Sequence, residues 1–164
     1  MTVHLLRTSL TLPLERDAVF PFFADAANLG RITPPELSFT IITPLPITMG
    51  RGTLIDYRIG LHGIPMSWRT LIESWEPSRE FTDVQLKGPY AQWVHRHTFH
   101  SVPGGVRMDD EVRYALPLGV LGNLAHPIVR RQLTRIFTYR NQEVARLLLG
   151  ARAGEATFAP VVIS

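Results

Sequence analysis

The chain has 164 residues, a length typical of one domain with its own hydrophobic core. Hydrophobic residues make up 45% of it and charged residues 19%, as in an ordinary globular protein. There is no cysteine, which excludes disulfides and thiol chemistry and fits a reducing compartment such as the cytoplasm. No apolar run reaches the roughly 18 residues of a membrane span, so we expect neither a signal peptide nor stable membrane insertion.

Arginine carries nearly all of the positive charge. The formal net charge is +3, and Lys87 is the only lysine among 17 basic residues. The arginines are densest at Arg130, Arg131 and Arg135, where no aromatic residues interleave with them and no nucleic-acid-binding motif accompanies them. We interpret them as the solvated face of an amphipathic helix and expect no nucleic-acid partner.

The N-terminal part of the chain predicts a strand, a helix and a second, short strand. Residues 4–12 alternate loosely, which predicts the first strand, and residues 15–26 place apolar side chains at helical spacing. The tandem prolines Pro34 and Pro35 form a loop because they cannot continue a helix. A short strand is predicted over residues 38–43.

The middle of the chain predicts five longer strands. They span residues 53–61, 64–75, 80–86, 93–99 and 106–116. The first two form a hairpin around His62-Gly63, which sets Tyr57 opposite Trp68 on an apolar face. Neighbouring strands joined by short turns are antiparallel, so a hairpin-connected sheet with one face to cover is expected.

The C-terminal part predicts a single long helix. An apolar, glycine-broken segment over residues 118–125 precedes it, Pro127 begins it and Gly150 ends it. Its apolar stripe consists of Val129, Leu133, Ile136, Phe137, Val144 and Leu147. This helix is the only element long enough to cover the sheet, which gives an α+β domain over residues 1–150. Residues 151–164 form a C-terminal tail, expected to be loose unless residues 161–163 pair with a sheet edge.

Residues 93–99 are the most informative stretch, because they alternate with the period of a strand. Trp93, His95, His97 and Phe99 therefore share one face. Two imidazoles on an apolar face are unusual in a packing core, since each buried polar group must find a partner. A ligand pocket, mostly apolar with a few convergent polar groups, accommodates them well.

The two neighbouring strands add polar groups to this face. Gly104-Gly105 is a two-residue hairpin signal, which pairs His95 with Tyr114 and sets Asp110 opposite Phe99.

The strand before the histidines supplies two further polar groups. One register across the Gly88-Pro89 turn sets Asp83 opposite His95 and Gln85 opposite Trp93. The loop does not fix this register, and a slip by one residue would turn every side chain to the other face, so other registers stay open.

A family resemblance rests on a series of short motifs. They are Asn28-Leu29 with Ile32-Thr33-Pro34-Pro35, Phe81-Thr82-Asp83-Val84-Gln85, Gly88-Pro89, Trp93-Val94-His95-Arg96-His97-Thr98-Phe99, Asp110-Glu111-Val112-Arg113-Tyr114 with Leu116-Pro117, and Ile136-Phe137-Thr138-Tyr139-Arg140. Over about residues 4–149 the chain resembles the helix-grip superfamily of START domains, birch-pollen allergens and bacterial polyketide cyclase/dehydrase and lipid-transport proteins. Within it, the chain is most similar to a bacterial subgroup described only as ligand-binding or cell-division-inhibitor-like.

The resemblance implies a curved antiparallel sheet wrapped around a long C-terminal helix, with a mainly apolar cavity between them. It also implies a ligand such as a lipid, sterol, polyketide or quinone, and for some members a cyclisation or aromatisation. It does not fix a reaction, because one fold hosts many functions. The Pro34-Pro35 loop and residues 119–122 are candidate mouths of the cavity.

The polar groups of the inner face allow several uses. The two histidines, with Asp83 or Asp110 as a third ligand, would suit zinc or non-haem iron. We favour hydrogen-bonded core packing or direct contact with a small molecule, since no third histidine is nearby, and we expect no metal or cofactor. In a catalytic use, His95 would be a general base oriented by Asp83, and Tyr114 would stabilise an enolate oxygen. Arg140, on the helix stripe, would contact a ligand acid group or an inner carboxylate, or keep its head in water.

The sequence therefore predicts a helix-grip protein whose partner is a hydrophobic or amphipathic small molecule. The expected contacts are Trp68, Asp83, Gln85, Trp93, His95, His97, Phe99, Asp110, Tyr114 and Arg140. A cyclase, aromatase or isomerase with His95 as base is a second hypothesis. A protein-interaction module is a third, which an exposed apolar surface at residues 118–125 would favour. The oligomeric state stays open.

Overall fold

One antiparallel sheet dominates the structure, a computed structural model that describes residues 1–61 and 63–164. Within these residues the strands are β1 (Val3–Leu12), β2 (Thr40–Ile41), β3 (Leu54–Leu61), β4 (Ile64–Glu76), β5 (Glu80–Lys87), β6 (Gln92–Val102), β7 (Gly105–Ala115), β8 (Thr157–Phe158) and β9 (Val162–Ile163). The helices are α1 (Arg16–Phe23), α2 (Gly119–Leu124) and α3 (His126–Leu149), with 3-10 segments at Ala26–Ile32, Pro35–Leu37 and Gly150–Glu155.

The sheet follows chain order from β2 to β7 and then closes back on the N-terminal strand. Its order is β2-β3-β4-β5-β6-β7-β1-β8, and β9 also pairs with β1. The long helix α3 lies against the inner face of this curved sheet, so the predicted helix-grip α+β architecture is confirmed. Among the described residues, no helix combines the length and the apolar composition needed to cross a bilayer.

The β3–β4 hairpin has the predicted register, with Tyr57 opposite Trp68. Gly63 adopts a positive φ of 79° at the turn, a backbone conformation that favours glycine. His62, the other predicted turn residue, lies outside the described residues. Because Tyr57 and Trp68 face the same side, they form part of the aromatic wall described below.

The β6–β7 hairpin differs from its predicted register by two residues. His97 pairs with Asp110, and Trp93 rather than His95 lies opposite Tyr114. The turn is formed by Pro103-Gly104, with Gly104 at φ 81°, since proline presets the first turn position and glycine supplies the positive φ of the second. A shift of two residues preserves the side of the sheet that each side chain faces, so the inner face keeps its predicted members.

Gly105 serves close packing rather than the turn. A Cβ at this position would lie 1.9 Å from the carbonyl oxygen of Leu12, so only glycine lets β7 begin beside the end of β1.

The β5–β6 pairing has one of the registers that the sequence left open, in which Asp83 lies opposite His95. The described strands therefore bring the carboxyl groups of β5 and β7 to the two histidines of β6 from opposite sides.

The helix α3 packs mainly through Leu133, Phe137 and Val144, which are fully or almost fully buried. Val129, Ile136 and Leu147 of the predicted stripe are only half-buried. The helix also buries a polar residue, Asn141, which its apolar pattern does not predict. Asn141 donates from Nδ2 to Thr8 Oγ1 at 3.1 Å, which satisfies a polar group in the core.

The residues after Gly150 are docked on β1 rather than loose, so the expectation of a loose tail is wrong and the edge-pairing alternative is confirmed. Val162 and Ile163 pair with Arg7 and Leu6, and Ile163 is 7% exposed. The physical reason is that without β8 and β9 the strand β1 would be an edge of the sheet, with unpaired backbone groups and the apolar side chain of Leu6 uncovered. The division into a domain over residues 1–150 and a tail stays a prediction.

Candidate functional site

A cavity of about 180 Å³ lies between the sheet and α3. Its walls come from strands β3 to β6, from α1 and α3, and from the chain between α1 and β3. Most of the wall is apolar, with Ile55, Ile59, Trp68, Trp93, Leu133 and Phe137 among the buried lining side chains. Asp83, His95, His97 and Arg140 enter the wall close together, from β5, β6 and α3.

Two histidines and two aspartates form the centre of this polar place. His95 Nε2 lies 2.8 Å from Asp110 Oδ1, and His97 Nε2 lies 2.9 Å from Asp83 Oδ2. The other nitrogens complete a ring of contacts: His97 Nδ1 is 3.0 Å from Asp110 Oδ1, and His95 Nδ1 is 3.6 Å from Asp83 Oδ2. We call Asp83, His95, His97, Asp110 and Arg140 the polar cluster.

Arg140 reaches this cluster from α3. Its Nε lies 3.8 Å from Asp110 Oδ2, and its Nη2 lies 3.4 Å from His97 Nδ1. Its guanidinium carbon also lies 5.7 Å from the ring centroid of Phe23, and only 12% of the side chain is exposed. Of the three interpretations of Arg140 that the sequence allowed, the structure therefore shows the contact with an inner carboxylate, that of Asp110.

The pKa values of the two imidazoles are shifted in opposite directions. Burial, together with the charge of His97, lowers the pKa of His95. Burial opposes the charged form of His97 as well, but its contacts with Asp110 and Asp83 outweigh burial and raise the pKa of His97. A cationic His97 beside a neutral His95 is the arrangement that these shifts favour.

Both aspartates remain ionised despite their burial. Burial alone would raise the pKa of Asp110, but Arg140 and both histidines hold it well below its usual range. In Asp83, burial is likewise outweighed by His95 and His97, and the pKa is lowered. Two carboxylates balanced by Arg140 and one imidazolium give the cluster a net charge near zero, which is the condition for burying so many ionisable groups.

The part of the cavity wall next to the polar cluster is aromatic, since Trp93 lies two residues before His95 on β6 and their ring centroids are 6.3 Å apart. Trp68 packs edge-to-face on Trp93 with ring centroids 5.4 Å apart and stacks on Tyr57 at 5.7 Å. Tyr90 packs against Trp93 at 4.7 Å. Trp68 Nε1 is buried and has no hydrogen-bond partner among the described residues. An indole N–H in this position usually has an acceptor, so the wall offers one unused donor.

Six of the residues predicted to contact a ligand line the cavity. They are Trp68, Asp83, Trp93, His95, His97 and Arg140. Asp110 lies behind the histidines and contacts their far nitrogens rather than the cavity. The structure thus separates the predicted set into groups that face the cavity and groups that support them.

Gln85 and Phe99 have structural positions outside the lining. The Gln85 amide donates to the carbonyl oxygen of Tyr90 at 2.8 Å and accepts from the backbone N–H of Tyr90 at 3.2 Å, which holds the loop that carries this tyrosine. Phe99 is buried in a separate apolar cluster, where it packs edge-to-face on Phe20 and Phe23 of α1. Both residues shape the neighbourhood of the cavity without forming its surface.

Tyr114 is directed away from the polar cluster. Its hydroxyl lies 3.0 Å from His126 Nε2, and His126 in turn stacks on His4 with ring centroids 3.6 Å apart. Burial raises the pKa of Tyr114 to about 12, so the hydroxyl keeps its proton in its contact with His126. The structure therefore brings Asp83 to His95 but does not add Tyr114 to this pair.

The sequence did not identify several lining residues. Tyr90 lies in the loop between β5 and β6, and Leu29, Ile32 and Phe39 lie between α1 and β3. Residues outside long strands and helices have no periodic pattern that would assign them to one face. Their apolar character was the only signal in the sequence that could have identified them. Thr33 and Leu37, on either side of the tandem prolines, line the cavity, whereas none of its lining residues comes from α2.

Comparisons with known proteins support the fold. No protein-family model matches the sequence, and no curated protein matches it. Among solved structures, protein TTHA0849 from Thermus thermophilus is similar at a TM-score of 0.72 and 16% identity, over 90% of this chain and 98% of that one.

Two further solved structures carry functional names. The Zhui aromatase/cyclase from a Streptomyces species is similar at a TM-score of 0.67 and 14% identity, over 92% of this chain and 98% of that one. A START superfamily protein from Mycobacterium smegmatis is similar at a TM-score of 0.64 and 11% identity, over 88% of this chain and 99% of that one. Identities this low establish the fold and not the function. The protein therefore has the START-like helix-grip fold.

Proposed function

We propose that the protein binds a hydrophobic or amphipathic small molecule in the cavity between the sheet and α3. The observation that carries this proposal is the cavity itself: it has a volume of about 180 Å³ and a mostly apolar wall, and Asp83, His95, His97 and Arg140 lie together in that wall. A packed core of the same size would fill this space with side chains, because protein interiors are close-packed.

The size of the cavity suggests how much of the ligand is enclosed. An engineered apolar cavity of roughly 150 Å³ accommodates one benzene ring, so the enclosed portion corresponds to about one ring or a short acyl chain. A longer ligand would extend between Thr33 and Leu37 at the tandem-proline loop, which is our proposed mouth. Lipids, polyketides and quinones all contain portions of this size.

Two kinds of polar contact support an amphipathic ligand over a pure hydrocarbon. The free N–H of Trp68 would donate to a ligand oxygen, which would give this buried donor its partner. His95, His97 and Arg140 line the cavity nearby and would contact a second oxygen or an acidic group. A carbonyl-bearing ring or chain meets both requirements.

Native mass spectrometry tests the proposal directly. Protein purified without added ligand is measured under native and then denaturing conditions, and we expect an organic mass that is released on denaturation. If the protein is empty, an apolar fluorescent dye such as an anilinonaphthalene sulfonate is the probe, with tryptophan quenching as the readout. A chain that carries no organic mass and takes up no dye would refute the proposal.

A substitution that fills the cavity is expected to abolish binding. Ile136 lies on the cavity wall and is half-buried, so Ile136→Trp places an indole where the ligand would sit. We expect at least a tenfold loss of dye affinity at a stability cost of about 1–3 kcal/mol. The matched control is Leu86→Trp, because Leu86 is 55% exposed and does not line the cavity. Equal affinity in the two variants would place the binding site elsewhere.

The enzymatic alternative has weaker support. His95 as a general base would have Asp83 within 3.6 Å, but the hydroxyl expected to stabilise an enolate, that of Tyr114, is engaged by His126. Without that donor beside His95, the arrangement supports binding better than proton transfer.

An exposed apolar surface favours a second candidate function, an interaction with another protein chain. Its residues are Leu118, Val120, Leu121, Leu124 and Ile128, each between 62% and 80% exposed. These side chains follow one another closely in the sequence, and a large exposed apolar surface is typical of an interaction site. We propose a second copy of this chain as the partner, because twofold homodimers are the most common assemblies and an apolar surface is complementary to itself.

Light scattering coupled to size-exclusion chromatography tests this second candidate. We expect a concentration-dependent dimer that dissociates in Leu121→Asp but persists in Leu86→Asp, whose side chain is exposed elsewhere on the sheet. A dimer through this surface would also bury residues 119–122 and exclude them as a mouth of the cavity. A monomer at every concentration would refute the proposal.

A further inference from the structure

We propose that Asp83, His95 and His97 form a binding site for one divalent transition-metal ion, such as Zn²⁺ or Fe²⁺, open towards the cavity. This site goes beyond the binding of an organic ligand and does not depend on it. Two imidazoles and one carboxylate are a donor set that such ions prefer.

The three donor atoms are already close together. One ligating atom from each of the three residues lies within 4.8 Å of the other two. Asp83 Oδ2 is 2.9 Å from His97 Nε2 and 3.6 Å from His95 Nδ1. At a metal–ligand distance of about 2.0–2.2 Å, donors around a tetrahedral or octahedral ion are separated by roughly 3–3.5 Å, so only small side-chain movements are needed.

His95 Nδ1 is the atom that a hydrogen-bonded network leaves unused. At 3.6 Å it is too far from Asp83 Oδ2 for a hydrogen bond, and it makes none with any other described residue. Its lone pair lies beside the carboxylate oxygen that His97 also contacts. A metal ion among these three atoms would use this lone pair.

The surroundings have the arrangement expected of a metal site. Asp110 Oδ1 lies 2.8 Å from His95 Nε2 and 3.0 Å from His97 Nδ1, so one carboxylate contacts the far nitrogen of each imidazole. Metal-bound histidines almost always donate their second N–H in this way, which fixes the tautomer and the ring orientation. Phe81 stacks on His97 at 4.1 Å and Phe137 packs edge-on against His95 at 5.4 Å, which further restrict both rings.

The position of the site leaves coordination sites free for a ligand. All three proposed metal ligands line the cavity, whereas Asp110 does not. With both histidines neutral, two carboxylates and Arg140 carry one net negative charge, and a divalent ion changes this to one net positive charge. An anionic oxygen from a molecule in the cavity would restore neutrality, so the metal would favour oxygen-donor ligands.

The test uses the metal alone. Co²⁺ is titrated into the full chain, prepared without a polyhistidine tag, and visible absorption reports its coordination. We expect saturation at one ion per chain, with Zn²⁺ displacing Co²⁺. An absence of saturable Co²⁺ and Zn²⁺ binding below millimolar concentrations would overturn the proposal, whatever organic molecule the cavity binds.

Variants distinguish this site from adventitious binding. Asp110→Asn is expected to weaken Co²⁺ binding by about 10–100-fold, and loss of a direct ligand in His97→Gln or Asp83→Asn by more than that. The control is His126→Gln, because His126 is a half-buried histidine that pairs with Tyr114 outside the polar cluster. Binding that persists in His97→Gln, or that disappears in His126→Gln, would contradict the assignment.

A measurement on the unsubstituted chain covers the case in which a variant fails to fold. Crystals soaked in Zn²⁺ are measured at the zinc absorption edge. We expect an anomalous peak about 2.0–2.2 Å from Asp83 Oδ2, His95 Nδ1 and His97 Nε2. A peak elsewhere, or none between these atoms, would overturn the proposal.

Discussion

Replacing Asp110 with alanine is expected to lower the free energy of unfolding by about 3–5 kcal/mol. The Asp110 side chain is 12% exposed and is the carboxylate that His95, His97 and Arg140 share. Its removal leaves Arg140 and a cationic His97 close together, with Asp83 as the remaining counterion. Breaking a buried ion pair from one side costs more than the pair contributes, because the partner stays buried without compensation.

Urea-induced unfolding, followed by tryptophan fluorescence in the presence of a chelator, measures this effect on the metal-free protein. The control is Asp109→Ala, on the neighbouring position of β7, whose side chain faces outward and is 34% exposed. We expect the control to change the free energy of unfolding by no more than about 0.5 kcal/mol, as is usual for surface positions. A loss below 1 kcal/mol in Asp110→Ala would mean that the cluster tolerates an unbalanced charge.

Replacing Ile163 with alanine is expected to lower the free energy of unfolding by about 2–5 kcal/mol, a large effect for a residue in a two-residue strand. Ile163 is 7% exposed and belongs to the apolar cluster that contains Leu6, Val112 and Leu133. The next residue holds the strand in place, since the Leu5 N–H donates to the Ser164 carbonyl at 2.9 Å and the Ser164 N–H to the Leu5 carbonyl at 3.0 Å. Truncating the isoleucine removes buried area and leaves a cavity beside the edge strand.

Val162→Ala is the matched control, because Val162 occupies the adjacent position of β9 but is 57% exposed. We expect its free energy of unfolding to stay within about 0.5 kcal/mol of the parent protein. Both variants are measured by urea unfolding at the same pH. Similar losses in the two would show that β9 acts through backbone pairing alone and that Ile163 contributes no packing.

The inner face of the sheet was predictable because side chains in a strand alternate with period two. The two-residue error in the β6–β7 register left every residue on its predicted side, so Asp110 was assigned to the face of His95 and His97 despite the wrong partner. The error arose because Gly104 and Gly105 look alike in sequence. Proline at position 103 decides the turn, and the backbone of Leu12 requires the second glycine for a different reason.

The division of roles within the candidate site was not predictable from sequence. Knowing that Asp83 and Asp110 lie on the inner face of the sheet does not tell which of them borders the cavity. The packed structure places Asp83 on the cavity wall and Asp110 behind the histidines. Tyr114 shares the face with His95, yet its hydroxyl reaches His126 of α3, a contact set by how the helix crosses the sheet. Tertiary packing of this kind leaves no periodic signal in the chain.

The distribution of reactive side chains gives this protein a practical property. Lys87, the only lysine, is exposed at the end of β5, three residues before Tyr90 on the cavity wall. Apart from the N-terminal amine, an amine-reactive fluorophore therefore attaches at one position, close to the loop that carries Tyr90. Because the chain has no cysteine, a single introduced thiol would carry a second dye, so two different labels can be attached at two chosen positions of one chain.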